Sequence, residues 1–127
     1  MSIVIAGEAA PRKDIAGGGT GTVTCPDGTQ VNNAQISFRL QKDKGQASGA
    51  FNVFTDVSTK IGDLTAGQIN QNKYTITGIE RYDSVCGIGT ADTSVIITGS
   101  CGQGASIQFR AANGEIGTFT GSVACSV

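Results

Sequence analysis

Apolar and polar residues alternate with a period of two over much of the chain, and no window sustains helical periodicity. From Ile36 the order Ile36-Ser37-Phe38-Arg39-Leu40-Gln41 alternates without a break, and Ile107-Gln108-Phe109-Arg110-Ala111 repeats the design. Successive strand side chains point to opposite faces, so each run offers one apolar and one polar face. Such segments, separated by Gly, Asn and Asp, predict strands near 20–25, 34–42, 47–54, 58–70 (interrupted), 73–82, 93–100, 105–112 and 115–125. About eight short strands at this spacing predict an all-β antiparallel sandwich or barrel.

Two hairpins can be read in register. Asp43-Lys44-Gly45-Gln46 is a turn with Gly45 free to take a positive φ. Pairing across it sets Phe38 opposite Phe51 and Ile36 opposite Val53, and a one-residue slip would turn apolar residues outward. The second turn, Asn113-Gly114-Glu115, predicts Phe109 opposite Phe119 and Ile107 opposite Gly121. The likeness of the two hairpins is read as convergent hairpin design.

Composition narrows the function. The chain has 127 residues, enough for one domain with a real core, and a formal net charge of −1. That balance argues against nucleic-acid binding and against an anionic membrane surface, both of which need clustered Lys and Arg. No apolar run approaches the ~18 residues of a membrane helix. Histidine is absent, which removes the usual general base and the commonest metal ligand. The four cysteines, Cys25, Cys86, Cys101 and Cys125, form no C-x-x-C pair, so a zinc or thioredoxin-like site is disfavoured. Well-spread cysteines in a small loop-rich chain read as two disulfides, and hence as a secreted or cell-surface protein. Four reduced, buried cysteines are the competing reading. Strand counting favours Cys101–Cys125, with Gly102 and Gly104 supplying a bulge, and Cys25–Cys86 at the opposite end.

Residues 1–17 read as an N-terminal arm with a Gly-rich hinge, and 18–127 as a single β domain. The opening Met1–Gly7 is too short and lacks the basic lead of an intact signal peptide; it is compatible with the mature side of a cleaved precursor. Gly17-Gly18-Gly19-Thr20-Gly21-Thr22 lacks the Lys-Ser/Thr ending of a phosphate loop, and no helix follows it, so it reads as a flexible tether. Ile3-Val4-Ile5 on such a tether is a candidate donor strand for a neighbour's open sheet edge, which would build a filament or surface assembly. Packing within its own sheet is the plainer alternative.

Candidate chemistry is thin. No catalytic, cofactor-binding or metal-binding residues are assigned, and the chain is read as not an enzyme. Glu80 and Asp83 are the nearest carboxylate pair at a strand end, and Asp83 with Asp92 could frame a calcium ion. Both sets read better as loop and turn residues in water. Threonine is more suggestive: Thr22 and Thr24, Thr75 and Thr77, and Thr118 and Thr120 alternate along three predicted strands. If those strands were adjacent and flat, they would form a hydroxyl-and-methyl array of the kind that binds ice, a glycan or a small ligand; strand preference alone also explains them. Arg39 and Arg110 read as solubilising, and Tyr74 and Tyr82 as core or rim packing.

The strings Thr22-Val-Thr-Cys-Pro-Asp-Gly-Thr29, Leu40-Gln-Lys-Asp-Lys-Gly-Gln46 and Asn113-Gly-Glu-Ile-Gly-Thr-Phe-Thr-Gly121 resemble short secreted β-domain proteins of ammonia-oxidising archaea. The resemblance covers most of residues 18–125. It implies an exported β domain and transfers no activity, ligand or site. The expected function is a non-catalytic, exported or cell-surface structural or interaction domain, whose partner is itself or another surface protein. A ligand-binding module using the Thr-rich face is the alternative.

Overall fold

The computed structural model describes residues 13–87 and 92–126. Its strands are β1 (Lys13–Thr24), β2 (Gln30–Asp43), β3 (Gln46–Phe54), β4 (Thr59–Asn70), β5 (Lys73–Asp83), β6 (Thr93–Ser100), β7 (Gly102–Ala111) and β8 (Ile116–Ser126). Each pairs antiparallel with the next, and β8 returns to β1, closing an up-and-down barrel rather than a sandwich.

The first hairpin has the predicted register, with Phe38 opposite Phe51 and Ile36 opposite Val53. Its turn holds Lys44 and Gly45 at φ of 55° and 82°, the two positive values that a tight hairpin of right-handed twist requires. The second hairpin is two residues out from expectation: Phe109 faces Gly117, and Phe119 faces Ile107. The turn is a three-residue loop as expected, but it closes one residue earlier, over 112–114, where Ala111 N–H donates to the Glu115 carbonyl and Asn113 Oδ1 accepts from Glu115 N–H. A shift of two preserves which face is buried, so both phenylalanines still point inward. The shorter register also clears space, since a Cβ at Gly117 would lie 2.6 Å from the Phe119 ring.

The Gly-rich stretch is not a hinge. Gly17, Gly18 and Gly19 lie inside β1, opposite Phe38, Ser37 and Ile36 of β2 and opposite Val123, Ser122 and Gly121 of β8. A Cβ at Gly19 or Gly21 would run into the carbonyl oxygens of Thr120 and Thr118. Glycine is there so that the seam strands can approach closely, and residues 13–17, expected in the arm, belong to the barrel wall.

Inward-facing residues fill the barrel. Phe109, Ile107, Ile97, Ile76 and Val53 are fully buried, and Phe51 and Phe109 meet with ring centroids 5.3 Å apart. Such filling is what eight strands permit: the interior is just wide enough for side chains. Both expected disulfides are present. Cys25–Cys86 ties the end of β1 to the loop after β5, four strands round the ring, with Cα atoms 5.5 Å apart. Cys101–Cys125 ties the β6–β7 junction to β8, with Cα atoms 5.9 Å apart, beside the bulge between Gly102 and Ala105. By loop-closure entropy the longer first loop contributes about 4 kcal/mol and the second about 3.4 kcal/mol.

Candidate functional site

One end of the barrel interior is charged. Lys60 opens β4, Glu80 and Asp83 close β5, and Glu115 precedes β8; the first, second and fourth are fully buried and Asp83 is 1% exposed. Period-two logic explains three of them. Lys60 shares a face with Gly62 and Leu64, Glu80 with Ile76 and Gly78, and Glu115 with Gly117 and Phe119. Asp83 arrives by a different route. The β4–β5 ladder shifts between Ile61 and Gly62, so that Gly62 faces Glu80 while Lys60 faces Asp83. The extra residue, Arg81, is bulged outward, which flips the parity and brings a second acid inside.

The Lys60 ammonium sits 2.7 Å from Glu115 Oε1, 2.9 Å from Asp83 Oδ2 and 3.3 Å from Glu80 Oε1. It also lies 5.7 Å from the centre of the Phe109 ring. Cys86 N–H donates to Asp83 Oδ1 at 3.0 Å, which links the cluster to the Cys25–Cys86 bridge. Burial alone would lower the lysine pKa, but the hydrogen bonds to Glu115 and Asp83 and the charge of Glu80 hold it above its ordinary value. Burial pushes the Glu115 carboxyl up to about 8, helped by its hydrogen bond with Asp83. Burial presses on Asp83 too, yet hydrogen bonds from Glu115, Cys86 N–H and Lys60 keep it below the usual carboxylate range. Near neutrality the Glu115 carboxyl therefore keeps its proton beside an ionised Asp83.

Asp83, Cys86 and Glu115 bring potential ligand atoms within 4.8 Å of one another. They do not fit a metal, because the Cys86 sulfur is bonded to Cys25 and the carboxylates already hold a cation, Lys60. Asp83 and Glu80 are therefore neither loop residues in water nor an exposed pair in a cleft, as the sequence suggested. They are the inner lining of one barrel end.

The threonines lie on the outer wall. Thr22 faces Thr118 and Thr20 faces Thr120 across the β1–β8 seam. Thr75 and Thr77 are on β5, three strands away from β8, so the three expected strands are not adjacent and closure of the ring prevents a flat array. The gap is nonetheless bridged in kind: Thr118 faces Gln108, Gln108 faces Thr98, and Thr98 faces Thr75. Thr24 instead faces the half-exposed Ile116. The β2–β5 wall differs, with Arg39 paired to Asp14 at 2.9 Å and Arg81 to Asp63 at 2.9 Å and to Asp92. Above the charged end it also exposes Ile61 and Tyr82, which face one another, with Phe54 and the loop residue Val57. Tyr74 packs inside against Phe38, as expected for core.

Ile3, Val4 and Ile5 lie outside the described residues. Each of β1–β8 is paired on both edges, so the barrel offers no open edge to an incoming strand. Among the described residues no helix is long and apolar enough to cross a membrane. Comparison with protein-family models, with curated protein sequences and with solved structures gave no match.

Proposed function

We propose that the chain is an exported, non-catalytic structural or interaction domain that works through the outside of a solid barrel. The observation that carries this reading is the interior, filled by Phe, Ile and Val and plugged at one end by Lys60 and its carboxylates. A lumen of that kind holds side chains and leaves the outer wall and the arm to meet partners. Two disulfides suit an oxidising, extracellular setting. The exposed group Phe54, Val57, Ile61 and Tyr82 is the natural contact for another surface protein or a second copy. With no free edge, self-assembly through residues 3–5 has to displace part of β1 or lie across that wall.

A second reading is favoured by the Thr22–Thr118–Gln108–Thr98–Thr75 row: an uncharged hydroxyl and amide surface that suits a glycan better than the lattice of ice, because it curves. Molar mass by light scattering, on non-reduced protein with and without residues 1–12, separates the possibilities. The deletion stops at 12 because Lys13 already belongs to β1. Oligomers of the full chain that become monomers on deletion assign assembly to the arm. Oligomers that survive deletion but are lost in Ile61→Ser/Tyr82→Ser assign it to the apolar group. Monomers throughout, at every concentration, remove self-assembly from the proposal.

A further inference from the structure

We propose that Lys60 and Glu115 condense to an intramolecular amide, with Asp83 as the base, so that the barrel makes a covalent strut between β4 and β8. The nitrogen is in hydrogen-bond contact with the Glu115 carboxyl at 2.7 Å, and both side chains are fully buried. A packed scaffold that holds the two groups in contact replaces a bimolecular encounter by a small rotation of the carboxyl, and intramolecular positioning of reacting groups reaches effective molarities of about 10⁵–10⁸ M. The Phe109 ring and the surrounding core keep out the water that would otherwise favour separate ions.

The chemistry selects among the three acids. An amine adds to a neutral carboxylic acid far more readily than to a carboxylate, whose carbon is shielded by negative charge. Glu115 is the acid that holds the proton and makes the shortest contact with Lys60. Asp83 remains a carboxylate, 2.9 Å from the same nitrogen and with an oxygen within 4.8 Å of the Glu115 carboxyl, so it stands beside both the proton donor and the leaving group. Glu80 stands farther off, at 3.3 Å.

The step balances without a co-reactant. Asp83 takes one proton from the Lys60 ammonium, and the freed amine adds to Cδ of Glu115. The C–N bond forms, the C–OH bond breaks, and the departing hydroxyl leaves as water with the second amine proton. An ammonium, a carboxylate and a carboxylic acid become an amide, a carboxylic acid and one water. Two buried formal charges are removed, which relieves the desolvation that opposes any buried ion pair. The inference is independent of what the outer wall binds.

Intact mass spectrometry of the reduced, denatured chain tests it. The wild type is expected to weigh one water less than its sequence requires, and Lys60→Arg to weigh what its sequence requires. Trypsin should spare the bond after Lys60 and release a branched peptide joining residues 60 and 115. Glu115→Gln is expected to reach the wild-type product mass by losing ammonia, which identifies position 115 as the acyl donor. Full sequence mass in wild-type protein whose two disulfides are formed, and whose circular dichroism is that of a β barrel, overturns the proposal. A branch to Glu80 or Asp83 overturns the assignment to Glu115.

Discussion

The two ends of this barrel are closed by unlike means. At the end framed by residues 25–29, 55–58 and 112–115, the interior layer is an ammonium among carboxylates, braced by Cys25–Cys86 through the Cys86 N–H. At the other, the layer is apolar, with Tyr74 tilted against Phe38 at 5.8 Å between centroids and Cys101–Cys125 at the rim. The Tyr74 hydroxyl is buried and makes no hydrogen bond among the described residues, and burial raises its pKa well above the ordinary phenol value. The ionic end holds one cation among three acids, so removing the cation alone strands buried charge. The aromatic end tolerates a lone unmet hydroxyl because neutral groups are cheaper to desolvate than charges.

The largest way to break the comparison is Lys60→Met, which keeps the bulk but removes the nitrogen, as cation or as amide, from among the buried acids. Orphaning buried charge in this way costs about 3–5 kcal/mol, read as the shift in a urea or guanidinium unfolding midpoint. A loss under about 1 kcal/mol would mean that the acids shed their charge without the lysine.

Acidity provides a smaller lever confined to the ionic end. Glu115 titrates at about 8 when folded against an ordinary 4.5, so the folded chain binds the extra proton between those values. Stability from Glu115 is thus whole below about 4.5 and is lost as pH rises toward about 8. Asp83 runs the other way: held below its ordinary 3.8, it contributes stability above that value and loses it as pH falls further. In chains whose amide has not formed, unfolding midpoints should therefore peak in mild acid and decline towards neutrality, and Glu115→Gln should flatten the decline. A wild type that is already flat and one water light is a chain in which the amide has consumed the carboxyl. Flatness at full sequence mass would refute the raised carboxyl.

The smallest effect belongs to the aromatic end. Tyr74→Phe removes a hydroxyl with nothing to bond, so the change should be neutral or stabilising by up to about 1 kcal/mol. A loss greater than that, in the same unfolding assay, would reveal a partner for the oxygen.

How far the chain discloses this structure depends on which residues do the closing. The wall was legible because period-two alternation in segments such as Ile36–Gln41 is a local property. The choice of barrel over sandwich was not, since it turns on β1 meeting β8, about a hundred residues apart in sequence. The glycines of β1 misled because glycine in a strand and glycine in a tether look alike until the neighbouring strands are in place. The ionic end carried a signal that went unread: in Thr59–Leu64 and in Ile79–Arg81 the polar residue takes the inward position and isoleucine the outward one. Inverted alternation on two strands, with opposite charges, marks a buried pair. Asp83 could not have been placed in this way, because a bulge at Arg81 resets the count and a bulge leaves no mark in the sequence.

Ladder geometry also determines how the molecule bears load. Asp14 at the start of β1 lies opposite Ser126 at the end of β8, so both ends of the described chain leave from one rim. A pull applied there unzips the seam one rung at a time, a weak direction, instead of shearing all its rungs together. On the β1 side peeling halts at Cys25, which is fastened to Cys86, after the 12 residues of that strand have paid out. On the β8 side Cys125, anchored to Cys101, takes the strain almost at once. Under such a pull the barrel yields over a short slack and then meets a hard stop.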